Sequence, residues 1–224
     1  MSIRSQEQVA LLTDYDTGSA YSAAYYTFFA NYRFNWKKEQ QIHTLLLSSP
    51  ALYLGQATVA ANVAIAAAKS GTPTILVDAD LRTPSLEQRF GLEKGAGLGD
   101  LLAENSITMQ QVQQHLRDTF IPGLRLLSAG MAVEGATLLL STKLQEAIQS
   151  ICLLLSETET VPGLVIFNCS PVLTGPDASL IGTLVEQTIL IIAKGRTTRA
   201  HAKQAQEQLA RAHANLVGIV MLDV

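Results

Sequence analysis

From residue 42 onward, short uninterrupted apolar runs alternate with longer segments in which apolar and polar residues mix. "IHTLLLSS" (42–49), "TPTILVDAD" (72–80), "IPGLRLLSAG", "VPGLVIFNCS", "TILIIAKG" and "LVGIVMLDV" are the runs. Rich in leucine, isoleucine and valine and bounded by turn residues, they read as strands buried on both faces. Between them, "ATVAANVAIAAAKSG" predicts a helix stopped at Gly71, with Pro73 beyond it. "SLEQRF", "GLGDLLAEN" and "TMQQVQQHL" predict shorter helical pieces, and "TLLLSTKLQEAIQSICLLLSE" one long helix. "DASLIGTLVEQ" and "TRAHAKQAQEQLARAHA" complete the series. This alternation predicts an α/β fold: a mostly parallel sheet flanked by helices on both faces, with ligands at the carboxyl ends of the strands.

Ahead of that pattern, residues 1–20 are polar and turn-rich and read as a loose arm, leaving 21–224 as one domain. The domain opens on an aromatic segment over 21–40, where "AAYYTFFANYRF" has no helix breaker. Tyr25, Tyr26, Phe28, Phe29 and Tyr32 can either pack their rings onto the domain or present them to a partner, since aromatic residues are enriched at interfaces.

Composition narrows the classes. With 48% hydrophobic residues, the 224-residue chain has the apolar surface for a sizeable core. A net charge of −3 with no run of lysine and arginine argues against nucleic acid and against a polybasic membrane anchor. No stretch approaches the roughly 18 apolar residues of a membrane span, so direct membrane insertion is not expected. The N-terminus lacks the apolar core of a signal peptide, and Cys152 and Cys169 have no metal or redox spacing. A cytoplasmic protein is the expectation.

Two aspartates, Asp78 and Asp80, end the strand "TILVDAD". Two residues apart on an extended chain, they point the same way and can converge on a metal or a water. Alternatively one caps the following turn and the other is solvated, with Arg82 near enough in sequence to neutralise either. His43, His115, His201 and His213 show no metal-ligand spacing and read as surface or helix residues. Ser170 and Cys169 stand at a strand end without a histidine nearby in sequence, and Arg196 and Arg199 read as solvated loop residues.

"TILVDADLRTPSLEQRFGLEKGAGLGDLLAEN" resembles the segment after the phosphate loop of bacterial tyrosine kinases, the cytoplasmic enzymes of capsule and exopolysaccharide export. That family shows V-D-A-D-L-R-x-P-S-L, then F-G-L and G-L-x-D-L-L. "AAYYTFFANYRF" is similar to its E-A-Y-R-T-L-R-T-N-I-R-F helix, and "VIFNCSPVLTGPDA" to V-I-I-D-T-P-P-V-L-x-x-x-D-A. "AKGRTTRAHAKQAQEQL" matches a late strand–helix unit, so the likeness runs over about 21–224. It implies the phosphate-loop NTPase architecture shared with the partitioning and septum-placing ATPases of the ParA and MinD type.

The departures cluster on one chemistry. Where the family reads P-G-E-G-K-S-T, this chain reads Leu52, Tyr53, Leu54, Gly55, Gln56, Ala57 and Thr58; only Gly55 and Thr58 match. Tyr53 stands for a glycine that admits the phosphates, Gln56 for the phosphate-binding lysine, and Ala57 for the magnesium-ligating hydroxyl. Asn168 replaces the second magnesium-organising aspartate. Each loss is worth roughly 1.5–3 kcal/mol, and micromolar affinity is only about 8 kcal/mol in all. ATP and magnesium binding are therefore expected to be lost or weak, with no other cofactor and no metal. Asp78 and Asp80, which serve the metal and the catalytic step in the family, remain as vestigial candidates, and Asn62 and Asp177 match structural positions. In the helix, Ala23, Tyr26 and Phe29 replace a charged E-x-x-R-x-x-R ring contact.

The resemblance implies a catalytically degenerate kinase-like partner or scaffold in polysaccharide export. Its implied partners are a membrane chain-length regulator or an intact tyrosine kinase, with a homo-oligomer as a further possibility and peripheral membrane association only through a partner. Two alternatives stand beside it: an active kinase or ATPase using Asp78 and Asp80, and a ParA- or MinD-like positioning protein.

Overall fold

Three consecutive leucines explain the layering. Leu45, Leu46 and Leu47 are all fully buried, yet Leu45 and Leu47 enter one apolar cluster and Leu46 the other. Successive side chains of a strand point to opposite faces, so an unbroken apolar run requires cover on both sides. The computed structural model, which describes residues 10–14, 16–131 and 135–223, has that arrangement.

The strands are β1 (Ile42–Ser48), β2 (Thr74–Ala79), β3 (Leu116–Asp118), β4 (Leu124–Leu127), β5 (Gly163–Cys169), β6 (Gln187–Ala193) and β7 (Leu216–Leu222). They form one sheet in the order β3-β4-β2-β5-β1-β6-β7, parallel throughout except for β3. The helices are α1 (Ala20–Phe34), α2 (Gln56–Lys69), α3 (Leu86–Arg89), α4 (Leu98–Ala103), α5 (Met109–His115), α6 (Gly135–Leu138), α7 (Lys143–Thr158), α8 (Asp177–Leu184) and α9 (Arg199–Arg211). Helices α1 and α2 cover one face, and residues of α4, α5, α7, α8 and α9 pack on the other.

α2 is buried almost all round because alanine after alanine lets it lie between the sheet and α1. It ends at Gly71, whose φ of 80° is the left-handed conformation that terminates helices. Among the described residues no helix is long and apolar enough to cross a membrane.

Four expectations need correction. The single long helix over "TLLLSTKLQEAIQSICLLLSE" is two, α6 and α7, because the Ser141 hydroxyl donates to the Leu138 carbonyl and competes with the helix at the break. Strand β3 was not foreseen: three residues are too few to show a period, and its antiparallel pairing with β4 forms it. The arm is not loose over its described part, since Leu11 and Leu12 are buried and the Leu12 amide donates to Asn62 Oδ1. Residues 1–9 and Tyr15 lie outside the described residues.

The fourth concerns His43, which packs against the aromatic helix. Tyr25, Phe29 and Tyr32 are buried in the core, and Tyr26 and Phe28 are partly buried against it. The ring-packing alternative therefore accounts for most of the helix. Trp36, just past its end, lies edge-on to Phe29 and Tyr32 and stacks 4.1 Å from the ring of His43. His43 is accordingly a buried β1 residue, with Nδ1 3.2 Å from Glu186, rather than a surface histidine.

Candidate functional site

The carboxyl ends of β1, β2 and β5 meet where the loop after β1 turns into α2. In the β2–β5 register Asp78 stands opposite Asn168, and in the β1–β5 register Leu47 does so. This places the loop, Asp78 and Asn168 side by side.

Gln56, the first residue of α2, folds its side chain inward and is 4% exposed. Its Oε1 accepts from the Ser49 amide at 2.7 Å and from the Ser49 hydroxyl at 2.6 Å. Its Nε2 donates to Asn168 Oδ1 at 3.0 Å and to the Cys169 carbonyl. A primary amide has two donor hydrogens and two acceptor lone pairs, so all four are used. The residue at the family's lysine position thus ties the ends of β1 and β5 together.

The chain of contacts continues through Asn168. Its Nδ2 donates to Asp78 Oδ1 at 3.0 Å, while Asp78 Oδ2 accepts from the amides of Ser85 and Leu86 at 3.2 and 3.1 Å. Asp78 therefore caps the start of α3. Burial pushes its carboxyl up to about 6, against the opposing effect of the Leu86 amide and the Asn168 hydrogen bond. Asp80 is saturated separately: it accepts from the Ser170 hydroxyl at 2.7 Å, the Thr83 hydroxyl at 2.8 Å and the Thr83 amide at 3.1 Å.

Arg82 pairs with neither aspartate through its guanidinium. It forks onto Asp177, with Nε 2.8 Å from Oδ2, so the expected neutralisation of Asp78 or Asp80 is corrected; the buried Asp177 at the start of α8 is its partner. Only its amide reaches Asp80. Asn62 joins the Leu12 amide to the Tyr21 hydroxyl. The Ser170 hydroxyl is buried and donated to Asp80, and burial holds the Cys169 thiol well above its usual range, so neither is poised as a nucleophile. Arg196 and Arg199 are exposed.

Tyr53 crosses the loop. A Cβ at Gly55 would lie 2.3 Å from the Tyr53 hydroxyl oxygen and 2.4 Å from the adjoining ring carbon, so only glycine lets the phenol ring rest there, beside the N-terminus of α2. The Gln56 amide, one of the donors at that helix start, is taken by the Tyr53 carbonyl at 3.1 Å. Ala57 is buried and has no hydroxyl to offer. Arg89 of α3 closes the other side, donating to the Thr58 hydroxyl at 2.6 Å and the Leu54 carbonyl at 3.2 Å. Burial lowers the pKa of its guanidinium. A cleft of about 400 Å³ remains, with Leu52 and Leu54 exposed at its rim and Asp80 and Pro171 among its walls.

Sequence reasoning missed Ser49, Thr83 and Arg89. Ser49 and Thr83 are common loop residues with no local signal. Arg89 carries one weak sign, a cation on the short helix that Asp78 caps. Among the described residues no cluster of three or more histidine, cysteine, aspartate or glutamate side chains is placed to hold a metal.

No protein-family model matches the chain. It is 30% identical over 219 residues to the tyrosine-protein kinase YwqD of Bacillus subtilis, covering 97% of this chain and 86% of that one. It is 25% identical over 182 residues to the tyrosine-protein kinase CpsD of Streptococcus agalactiae, covering 75% and 69%. The fold is that of the chimerical protein CapA2B2, with a TM-score of 0.78 at 24% identity over 94% of this chain and 88% of that one. The septum site-determining protein MinD of Pyrococcus horikoshii shares it at a TM-score of 0.64, with 19% identity over 80% and 70%. At 30% identity to YwqD over nearly its whole length, the chain belongs to the bacterial tyrosine-protein kinase family.

Proposed function

We propose that this chain is a catalytically silent member of its family, acting as a regulatory or scaffolding partner in capsule or exopolysaccharide export. The observation that carries the reading is the saturated Gln56: four hydrogen bonds to Ser49, Asn168 and Cys169 occupy the side chain where the family keeps a free lysine. Its neighbours point the same way. The Tyr53 ring lies over Gly55, Ala57 has no ligating oxygen, and Asn168 is neutral and engaged with Asp78.

These residues do not fit a magnesium nucleotide. Admitting phosphates requires moving the Tyr53 ring and provides no cation from Gln56 in return. Admitting magnesium requires a hydroxyl at residue 57 and a carboxylate at 168, and the sequence provides neither. Asp78 and Asp80 keep their carboxylates but spend them on protein donors. Such groups hold the loop, β5 and α3 in one arrangement, which suits a surface that binds rather than a site that turns over.

The partner in this reading is a membrane chain-length regulator or an intact tyrosine kinase, and any membrane association is peripheral and passes through that partner. Hydrolysis and phosphotransfer measured at millimolar magnesium-ATP test the reading. No product above a protein-free control is expected; turnover that disappears in Asp80→Asn would establish the enzyme alternative instead.

A further inference from the structure

A second pocket, of about 350 Å³, opens at the amino ends of β2 and β4, at the end of the sheet opposite the candidate site. It lies between the β3–β4 turn and the end of α7. Its walls carry charges of both signs: Arg125 from β4, Asp118 from β3 and Glu159 just past α7. Arg125 stands opposite Ile75 in the β2–β4 register, and Ile75 packs in the cluster that holds α7, so the Arg125 side chain leaves the sheet on that face. Asp118 is its direct neighbour across the antiparallel pair, on the same face.

These charges are unspent. Arg125 Nη2 is buried without a partner, and among the described residues the guanidinium makes no ion pair with Asp118 or Glu159. The hydroxyls of the pocket, by contrast, are used: Thr74 donates to the Thr72 carbonyl and Thr119 to the Leu124 carbonyl. A guanidinium nitrogen withdrawn from water costs stability unless an acceptor takes the place of the water. Arg125 offers its fork to a carboxylate. Asp118 and Glu159, with the partial negative charge at the C-terminal end of α7, offer the reverse to an ammonium.

We propose that this pocket binds an α-amino acid with an aliphatic side chain. Its carboxylate sits on Arg125, its ammonium faces Asp118 and Glu159, and its side chain rests against the apolar walls formed by Leu155 and Ile121. Two acidic walls beside one cation select against a lone anion, and Arg125 selects against a lone cation. A zwitterion satisfies both. Because Asp118 and Arg125 are cross-strand neighbours, the two charges of the ligand must lie close together, as they do on a single α-carbon. The bound molecule joins the β3–β4 edge of the sheet to α7.

Calorimetric titration of the full chain with L-leucine tests this, beside isocaproate, which lacks the amino group, and isoamylamine, which lacks the carboxylate. L-Leucine is expected to bind saturably with a dissociation constant of about 1 mM or below, and each truncated molecule at least ~10-fold more weakly. Arg125→Met and Asp118→Asn are each expected to weaken L-leucine binding at least ~10-fold. If either fails to fold, Glu159→Gln is measured in its place with the same expectation. L-Leucine is also expected to raise the urea midpoint of wild type and to leave that of Arg125→Met unchanged. No saturable binding of L-leucine up to about 20 mM overturns the proposal. A truncated molecule that binds as tightly as L-leucine, or undiminished binding by the folded variants, overturns it as well.

Discussion

The loop half of the site, Tyr53–Thr58, and the strand half, Asp78–Arg82, share one cleft and have fared differently. In the loop half the chain carries a ring, an amide and a methyl group at Tyr53, Gln56 and Ala57, where the family resemblance implies groups for phosphate and magnesium. In the strand half the carboxylates persist, but each is filled by donors from the protein itself. Asn168 belongs to both: it accepts from Gln56 and donates to Asp78. The difference teaches that buried carboxylates at a strand end can be spent wholly on protein donors, which is how Asp78 and Asp80 would persist in a chain that is silent as proposed. A buried carboxylate must find hydrogen bonds, and Asp78 has found four, from Asn168 Nδ2 and the amides of Asp80, Ser85 and Leu86.

The comparison breaks most sharply at Asp78. Asp78→Ala leaves the Ser85 and Leu86 amides and Asn168 Nδ2 without an acceptor, and is expected to cost about 3–5 kcal/mol in urea unfolding. Asp78→Asn keeps the volume and one acceptor but turns its NH2 toward donors on the other side, and is expected to cost less than the alanine variant, about 1–2 kcal/mol at pH 7. A loss as large as that of the alanine variant would show that the charge itself is needed.

Asp78 also predicts a pH dependence. Its folded value of about 6 lies above the ordinary carboxylate value of 3.8, so between those limits the folded chain holds a proton that the unfolded chain has released. The resulting stabilisation is complete below the unfolded value and is lost as pH rises through about 6. The difference amounts to about 3 kcal/mol. Urea midpoints of wild type minus Asp78→Asn should fall over that window, and a flat difference would contradict the assigned burial.

Coupling between the halves comes next in size. Gln56→Lys leaves the Ser49 amide without its acceptor, while the Ser49 hydroxyl keeps the Ala51 carbonyl, and Asn168→Asp sets a second carboxylate beside Asp78. The double variant is expected to be more stable than the sum of the two by about 1–3 kcal/mol. Additivity would separate the halves. Smallest is Tyr53→Ala, expected to cost about 1 kcal/mol because the ring is half-buried. It is not expected to restore nucleotide binding on its own.

Much of this was legible in the sequence. Apolar runs flanked by turns fixed the strands because the core requires them to be apolar on both faces, and Leu45–Leu47 illustrate why. The site's location and its altered residues followed from motif order. Their new contacts did not, because nothing in "LYLGQAT" says that Gln56 turns inward to Ser49 and Cys169 or that the Tyr53 ring rests on Gly55. Arg82 could not be assigned to Asp177 either: the partner is 95 residues away and only the fold brings it close. The buried half of the aromatic helix was likewise undecidable, since Tyr25, Phe29 and Tyr32 are set inward by where α1 lies on α2.

The central claim is that protein groups have taken over the contacts that would hold a nucleotide. Calorimetric titration with magnesium-ATP tests it directly, comparing wild type with the variant carrying Tyr53→Gly, Gln56→Lys, Ala57→Ser and Asn168→Asp. Wild type is expected to give no saturable heat up to about 1 mM and the fourfold variant to bind, with micromolar affinity corresponding to about 8 kcal/mol. Saturable, magnesium-dependent binding by the wild-type chain in the micromolar range would contradict the account.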